Sequence, residues 1–165
     1  MSSRRAWVPG QLLAMFIVLT AVGPAMWMFL AGGDPDLASR KDVAAQLAQH
    51  EGIRLPLPVR LPAGYEPPDD YSVSVNEDGI AYGRGTRFHP SGEGAPKNAA
   101  VVVLCTQGVE APDRPCDPHP SMRSLERVVD STVVVIWAEY PPTASLDQWS
   151  SLELTTDLNK VRWLH

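Results

Sequence analysis

The sequence predicts an α+β protein: an N-terminal transmembrane helix followed by a small antiparallel-sheet domain of about four or five strands with one or two packing helices. Three observations lead there: a long uncharged apolar run near the start, two later runs rich in β-branched residues, and turn residues punctuating short patterned stretches. The chain's 165 residues leave room for one modest domain of about 100–150 residues plus an extra segment, and none for a two-domain enzyme.

Ala6 to Gly33 carries no charged residue, and sixteen of the nineteen residues from Leu12 to Leu30 are apolar. At about 1.5 Å rise per residue such a helix spans roughly the hydrocarbon core of a bilayer. Arg4 and Arg5 precede it and Asp34 and Asp36 follow, so the positive-inside rule predicts a cytoplasmic N-terminus and an extracytoplasmic remainder. The reading is a single-pass signal-anchor at the cell membrane. A cleaved signal peptide, with Ala31 and Gly33 before the cut, is the rival, although its apolar core is usually only about 7–15 residues. A buried core helix is the third reading. Ser3-Arg4-Arg5 is a weak twin-arginine match, and Cys105, the first cysteine, stands too late for lipoprotein attachment.

These features divide the chain into 1–33 (n-region and anchor), 34–68 (juxtamembrane helix and proline-rich linker) and 69–165 (the extracytoplasmic domain). Beyond the two N-terminal arginines there are 12 basic and 19 acidic residues, a charge of −7. That balance argues against a nucleic-acid partner. Arg outnumbers Lys by 11 to 3 among many Ala, Gly and Pro residues, the bias of a GC-rich bacterial genome.

Asp34 to His50 reads as a helix capped by Asp34 or Asp36 and closed near Gly52, either a stalk or a core helix. Five prolines between Ile53 and Pro68 predict extended linker or edge-lying chain. Tyr71 to Val75 and Ile80 to Arg84 alternate with period two around Asn76-Glu-Asp-Gly79, predicting a hairpin. Gly83 to Asn98, with four glycines and two prolines, reads as a loop. Ala99 to Thr106 and Thr132 to Ala138 are the strongest strand signals, and Ser121 to Val129 between them matches a helix. Ser145-Leu-Asp-Gln148 has capping-box spacing; Leu152 and Leu154 suit a last strand, and Leu158 to Leu164 a closing helix or ordered tail.

Cys105 and Cys116 are predicted to form a disulfide, the default in an exported domain. The alternative is a metal site joining them to Asp117 and His119, but the spacing lacks the tight pairs of structural zinc sites, and no metal is assigned. The motifs of nucleotide, haem, calcium, zinc-protease and serine-hydrolase sites are absent, so no cofactor is expected.

One charge contrast stands out. Arg84, Arg87 and Lys97, with His89, place positive charge in the glycine-rich loop of an acidic domain, a candidate anion site. The opposing view is a loop kept soluble by charge. The functional expectation is a non-catalytic, membrane-anchored interaction or binding module whose partner is an envelope protein or a small ligand. The alternative is a small membrane-tethered hydrolase or metal-dependent enzyme using His89 or His119, recognisable if these converge with Asp117 in a cleft.

Overall fold

The structure, a computed structural model, describes residues 38–91, 95–109, 111 and 114–165. The predicted anchor and its flanking charges lie outside the described residues. Among those described, no helix is long and apolar enough to cross a membrane.

The described chain belongs to one compact unit of mostly antiparallel sheet, with seven strands in two sheets and two short helices. Helix α1 is Arg40–Leu47, and strand β1 is Leu57–Pro58. Strands β2 (Tyr71–Val75), β3 (Ala81–Phe88), β4 (Val101–Gly108), β5 (Ser124–Val129) and β6 (Thr132–Tyr140) follow. Helix α2 (Asp147–Ser150) and strand β7 (Leu154–Thr155) end the series. The large sheet runs β2-β3-β4-β6-β5, and β1 pairs antiparallel with β7 in the small one.

The two β-branched runs become β4 and β6, paired neighbours in the interior of the large sheet, with 102–106 and 134–136 buried without interruption, as continuous apolar sequence requires. The hairpin forms as expected around Asn76, whose Oδ1 accepts from the amides of Asp78 (3.1 Å) and Ile80 (2.8 Å). Gly79 supplies a φ of 77°.

Alternation sets the two faces of the sheet. Phe88, Val102, Leu104, Val134, Ile136 and Ala138 point inward and pack with Val43, Leu55, Leu57, Trp149, Val161 and Trp163 from the covering segments. The outer face carries a smaller cluster of Val103, Cys105, Cys116 and Val135, flanked by Val133 and Trp137. Over it folds the loop that follows β4. Gly83 faces this loop, and a Cβ there would stand 2.4 Å from Cγ of Pro115, so a side chain at 83 and the loop cannot share the space.

Four expectations are corrected. Residues 124–129 form strand β5, not a helix. Leu125, Arg127 and Val129 are half-buried in strict alternation, and the Asp130-Ser131 turn, with φ of 47° and 66°, folds β5 onto β6. The loop expected from Gly83 instead begins after Phe88, because Gly83 to Phe88 pair with β4. The proline-rich stretch is not a linker outside the domain: Leu55, Pro56, Leu57 and Pro58 are buried, and Trp163 Nε1 donates to the Pro58 carbonyl at 2.8 Å. Finally, the first helix is capped by Ser39, whose Oγ accepts from the Asp42 amide at 3.4 Å, while Asp34 and Asp36 lie outside the described residues. Helix α1 is attached to the domain and not a free stalk: Val43 is buried, and Arg40 donates to the Leu158 and Leu164 carbonyls. The closing segment is an ordered tail of turns with Val161, Trp163 and Leu164 buried.

Candidate functional site

The residues predicted to gather as an anion site do not converge. Arg84 and Arg87 stand three apart on one strand, which directs them to opposite faces of the sheet. Arg87 lies on the outer face and is exposed, with Nε 3.0 Å from Glu139 Oε2 and Nη2 3.2 Å from Oε1. The Glu139 bond and charge raise its pKa. His89 is exposed just beyond β3, and Lys97 is exposed in the following loop. No single anion can touch Arg84 and Arg87 together through a sheet.

Arg84 has another environment. It is only 5 % exposed and lies in an inward row with Val73, Thr106 and Val134. Nε donates to the Ile53 carbonyl at 2.7 Å and Nη2 to that of His50. The guanidinium thereby holds the chain leaving α1. The same chain is fastened through its backbone, with Ile53 N donating to Ala81 O (2.9 Å) and Ala81 N to Glu51 O (2.7 Å). Gly52 makes this approach possible: its φ is 114°, and a Cβ would lie 2.4 Å from the Ala81 carbonyl oxygen.

Between α1, this exit segment and the chain after β7 lies a cleft of about 510 Å³ with Arg84 among its lining residues. Ala44, Leu47, Leu55 and Leu158 supply apolar surface; Arg54, Glu51, His50 and Thr156 supply polar groups. The volume lies within the range of small-molecule sites, about 300–1,000 Å³. Arg84 pairs with no carboxylate among the described residues, and its Nη1 makes no hydrogen bond there. Burial alone pushes its pKa below the ordinary value. A desolvated cation with unused donors in a partly apolar cleft is an arrangement suited to receive an anion.

A second cavity, about 570 Å³, lies beside Tyr65, Ala144 and Trp149. Trp149 packs edge-on against Tyr65 with ring centres 5.0 Å apart, and its Nε1 is buried without a hydrogen-bond partner. No charged group is buried there; Asp147 is exposed.

The groups of the enzymatic alternative are scattered. His119 Nδ1 lies 2.8 Å from Ser121 Oγ, but the Ser121 amide also approaches Nδ1 at 3.3 Å, making this a local turn contact. Both residues and Asp117 are exposed, and no carboxylate bonds to His119 among the described residues. His89 sits at the end of a different strand. No group of three His, Cys, Asp or Glu side chains that could hold a metal occurs among the described residues. Cys105 and Cys116 are joined in a disulfide with a Cα–Cα distance of 5.5 Å, which removes the thiolates a metal would need.

The cleft was not visible in the sequence because its walls come from the stretch read as stalk and linker. The available signal was Leu55 and Leu57, two apart among prolines, which marks an extended segment with one buried face. No family model, curated protein or solved structure matches the chain.

Proposed function

We propose that the chain is a non-catalytic binding module, tethered by its N-terminal segment to the outer face of the cytoplasmic membrane, with the Arg84 cleft as its ligand site. The observation that carries the binding reading is Arg84 itself: a buried guanidinium, held by two backbone carbonyls, without a carboxylate partner among the described residues. Structural arginines buried in a small domain normally meet a carboxylate, because an uncompensated buried charge is costly. Here a bound anion is the missing counter-charge.

The address rests on different support. The uncharged run from Ala6 to Gly33 after Arg4 and Arg5 fits a spanning helix of the positive-inside type. The Cys105–Cys116 disulfide is compatible with an oxidising compartment and unusual in a reducing one. A tether raises the local concentration of the module for ligands that occur at the membrane surface.

Fusing alkaline phosphatase or a fluorescent protein after His165 tests the address, with thiol trapping in intact cells as its second arm. Active phosphatase, a dark fluorescent fusion and blocked thiols are expected. Fluorescence confined to the cytosol together with free thiols overturns the address. The mass of the mature N-terminus separates a retained anchor from a cleaved signal.

A further inference from the structure

From the contents of the cleft we infer the chemical class of its ligand: a small monocarboxylate carrying an apolar tail, its carboxylate against Nη1 of Arg84 and its tail along α1. This rests on the binding-module reading above and adds to it a ligand chemistry.

Arg84 carries a single positive charge and keeps three N–H donors, two on Nη1 and one on Nη2, since Nε and one N–H of Nη2 are committed to the Ile53 and His50 carbonyls. Arg54 is the only other arginine lining the cleft, and it is exposed; Glu51, also exposed, offsets it at the rim. One buried positive charge fits one negative charge. A phosphate monoester, with about 1.5 to 2 charges, brings more negative charge than this one buried cation offsets. The hydroxyl of Thr156, half-buried on the cleft wall, is a further donor for a carboxylate oxygen.

The apolar walls set the rest of the ligand. Ala44, Leu47 and Leu158 leave hydrocarbon beside the charged floor, and the small side chain of Ala44 keeps the space open. A free inorganic anion would leave this surface in contact with water, whereas a tail would cover it. The same chemistry arises from two sources, a short fatty acid and the C-terminus of a short apolar peptide, so both are probes.

Equilibrium dialysis of the purified full chain against octanoate, octanamide and N-acetyl-Leu-Leu tests this. Octanamide keeps the tail and removes the charge. Saturable one-to-one uptake of octanoate or of the peptide is expected, with octanamide bound about ten- to a hundredfold more weakly, the range of one charge-assisted hydrogen bond. The tighter of the two carboxylates identifies the source. Arg84→Lys keeps a charge but loses the fork and is expected to weaken uptake. Because it also disturbs the 50–53 segment, Ala44→Phe, which adds bulk to the α1 wall of the cleft and leaves the Arg84 side chain unchanged, is the second variant and is expected to abolish uptake while the circular dichroism spectrum and the disulfide persist. Equal uptake of octanoate and octanamide, no saturable uptake of either carboxylate, or full uptake by folded Ala44→Phe overturns the proposal. A negative result here with phosphatase still active outside the cell removes the ligand class and leaves the tethered module standing.

Discussion

Tyr71 opens β2 on the inner face, half-buried against the core, and its hydroxyl is buried without a hydrogen-bond partner. Such a group costs about 1–3 kcal/mol relative to a satisfied one. Desolvation, and then the negative charge of Asp70, push its pKa far above the usual 10.0. The charged form is therefore favoured only after unfolding. A phenol whose folded pKa exceeds its unfolded one contributes stability that is intact below pH 10.0 and is lost as the pH climbs beyond it. Wild type should lose up to about 1.4 kcal/mol per pH unit more than Tyr71→Phe once the pH passes the unfolded value. Near neutrality the same substitution should be neutral or stabilising by about 1 kcal/mol. Urea midpoints of the two proteins across the alkaline range check both statements; parallel curves would show that the hydroxyl is solvated.

At the scale of elements, the disulfide loop is the clearest unit. Cys116 N donates to Gln107 Oε1 at 3.1 Å, Pro115 lies over Gly83, and the covalent bond closes eleven positions of chain onto β4. All of this happens on the outer face, whereas the larger core packs on the inner one. Removing the link with the Cys105→Ala, Cys116→Ala double substitution should cost about 2–3 kcal/mol by chain entropy. The damage should stay local, with limited proteolysis cutting between 109 and 120 while the β4–β6 pairing survives. A protein that unfolds altogether would mean that the outer cluster supports the whole sheet. This pairing was legible in the sequence, as were the central strands and the first hairpin, because two cysteines, two β-branched runs and a turn with Asn and Gly each admit few alternatives. Strand β5 was not. Its six residues are too few to separate period 2 from period 3.6, since Leu125 and Val129 serve either pattern, and the Asp130-Ser131 turn that decides the matter lacks the glycine of the common hairpin signal. Arg84 was legible as a charge of interest, but its face was not, because the strand carrying it reads Gly-Arg-Gly and offers no apolar alternation. Gly83 leaves room for Pro115 of the loop across the outer face, and a Cβ at Gly85 would meet Ser72 Oγ on the adjacent strand at 3.1 Å.

For the whole molecule, the described chain is knit where it begins and ends. Ala38 bridges to Leu164, Arg40 N donates to His165 O (2.9 Å), and His165 N donates to Ala38 O (3.1 Å). The Arg40 guanidinium adds bonds to the carbonyls of Leu158 (3.2 Å) and Leu164 (3.0 Å). Leu158 lines the cleft together with Ala44 and Leu47 of α1, so the same arginine that anchors the helix also fixes a second part of the cleft wall. Helix α1 buries Val43 alone and has only eight residues, too few to persist in water by propensity. Its order therefore depends on these terminal contacts, and so does the shape of the cleft. In native-state hydrogen exchange the amides of 43–47 should open at lower free energy than those of β4 and β6, which report global unfolding. Arg40→Ala should deepen the contrast, lowering the opening energy of α1 by about 1–3 kcal/mol while moving the β4 amides by less. It should also weaken carboxylate uptake without altering any group that touches the ligand, through a wall that is no longer held. If α1 and β4 instead exchange together in both proteins, the helix is part of the cooperative core, and the cleft is as rigid as the sheet beneath it.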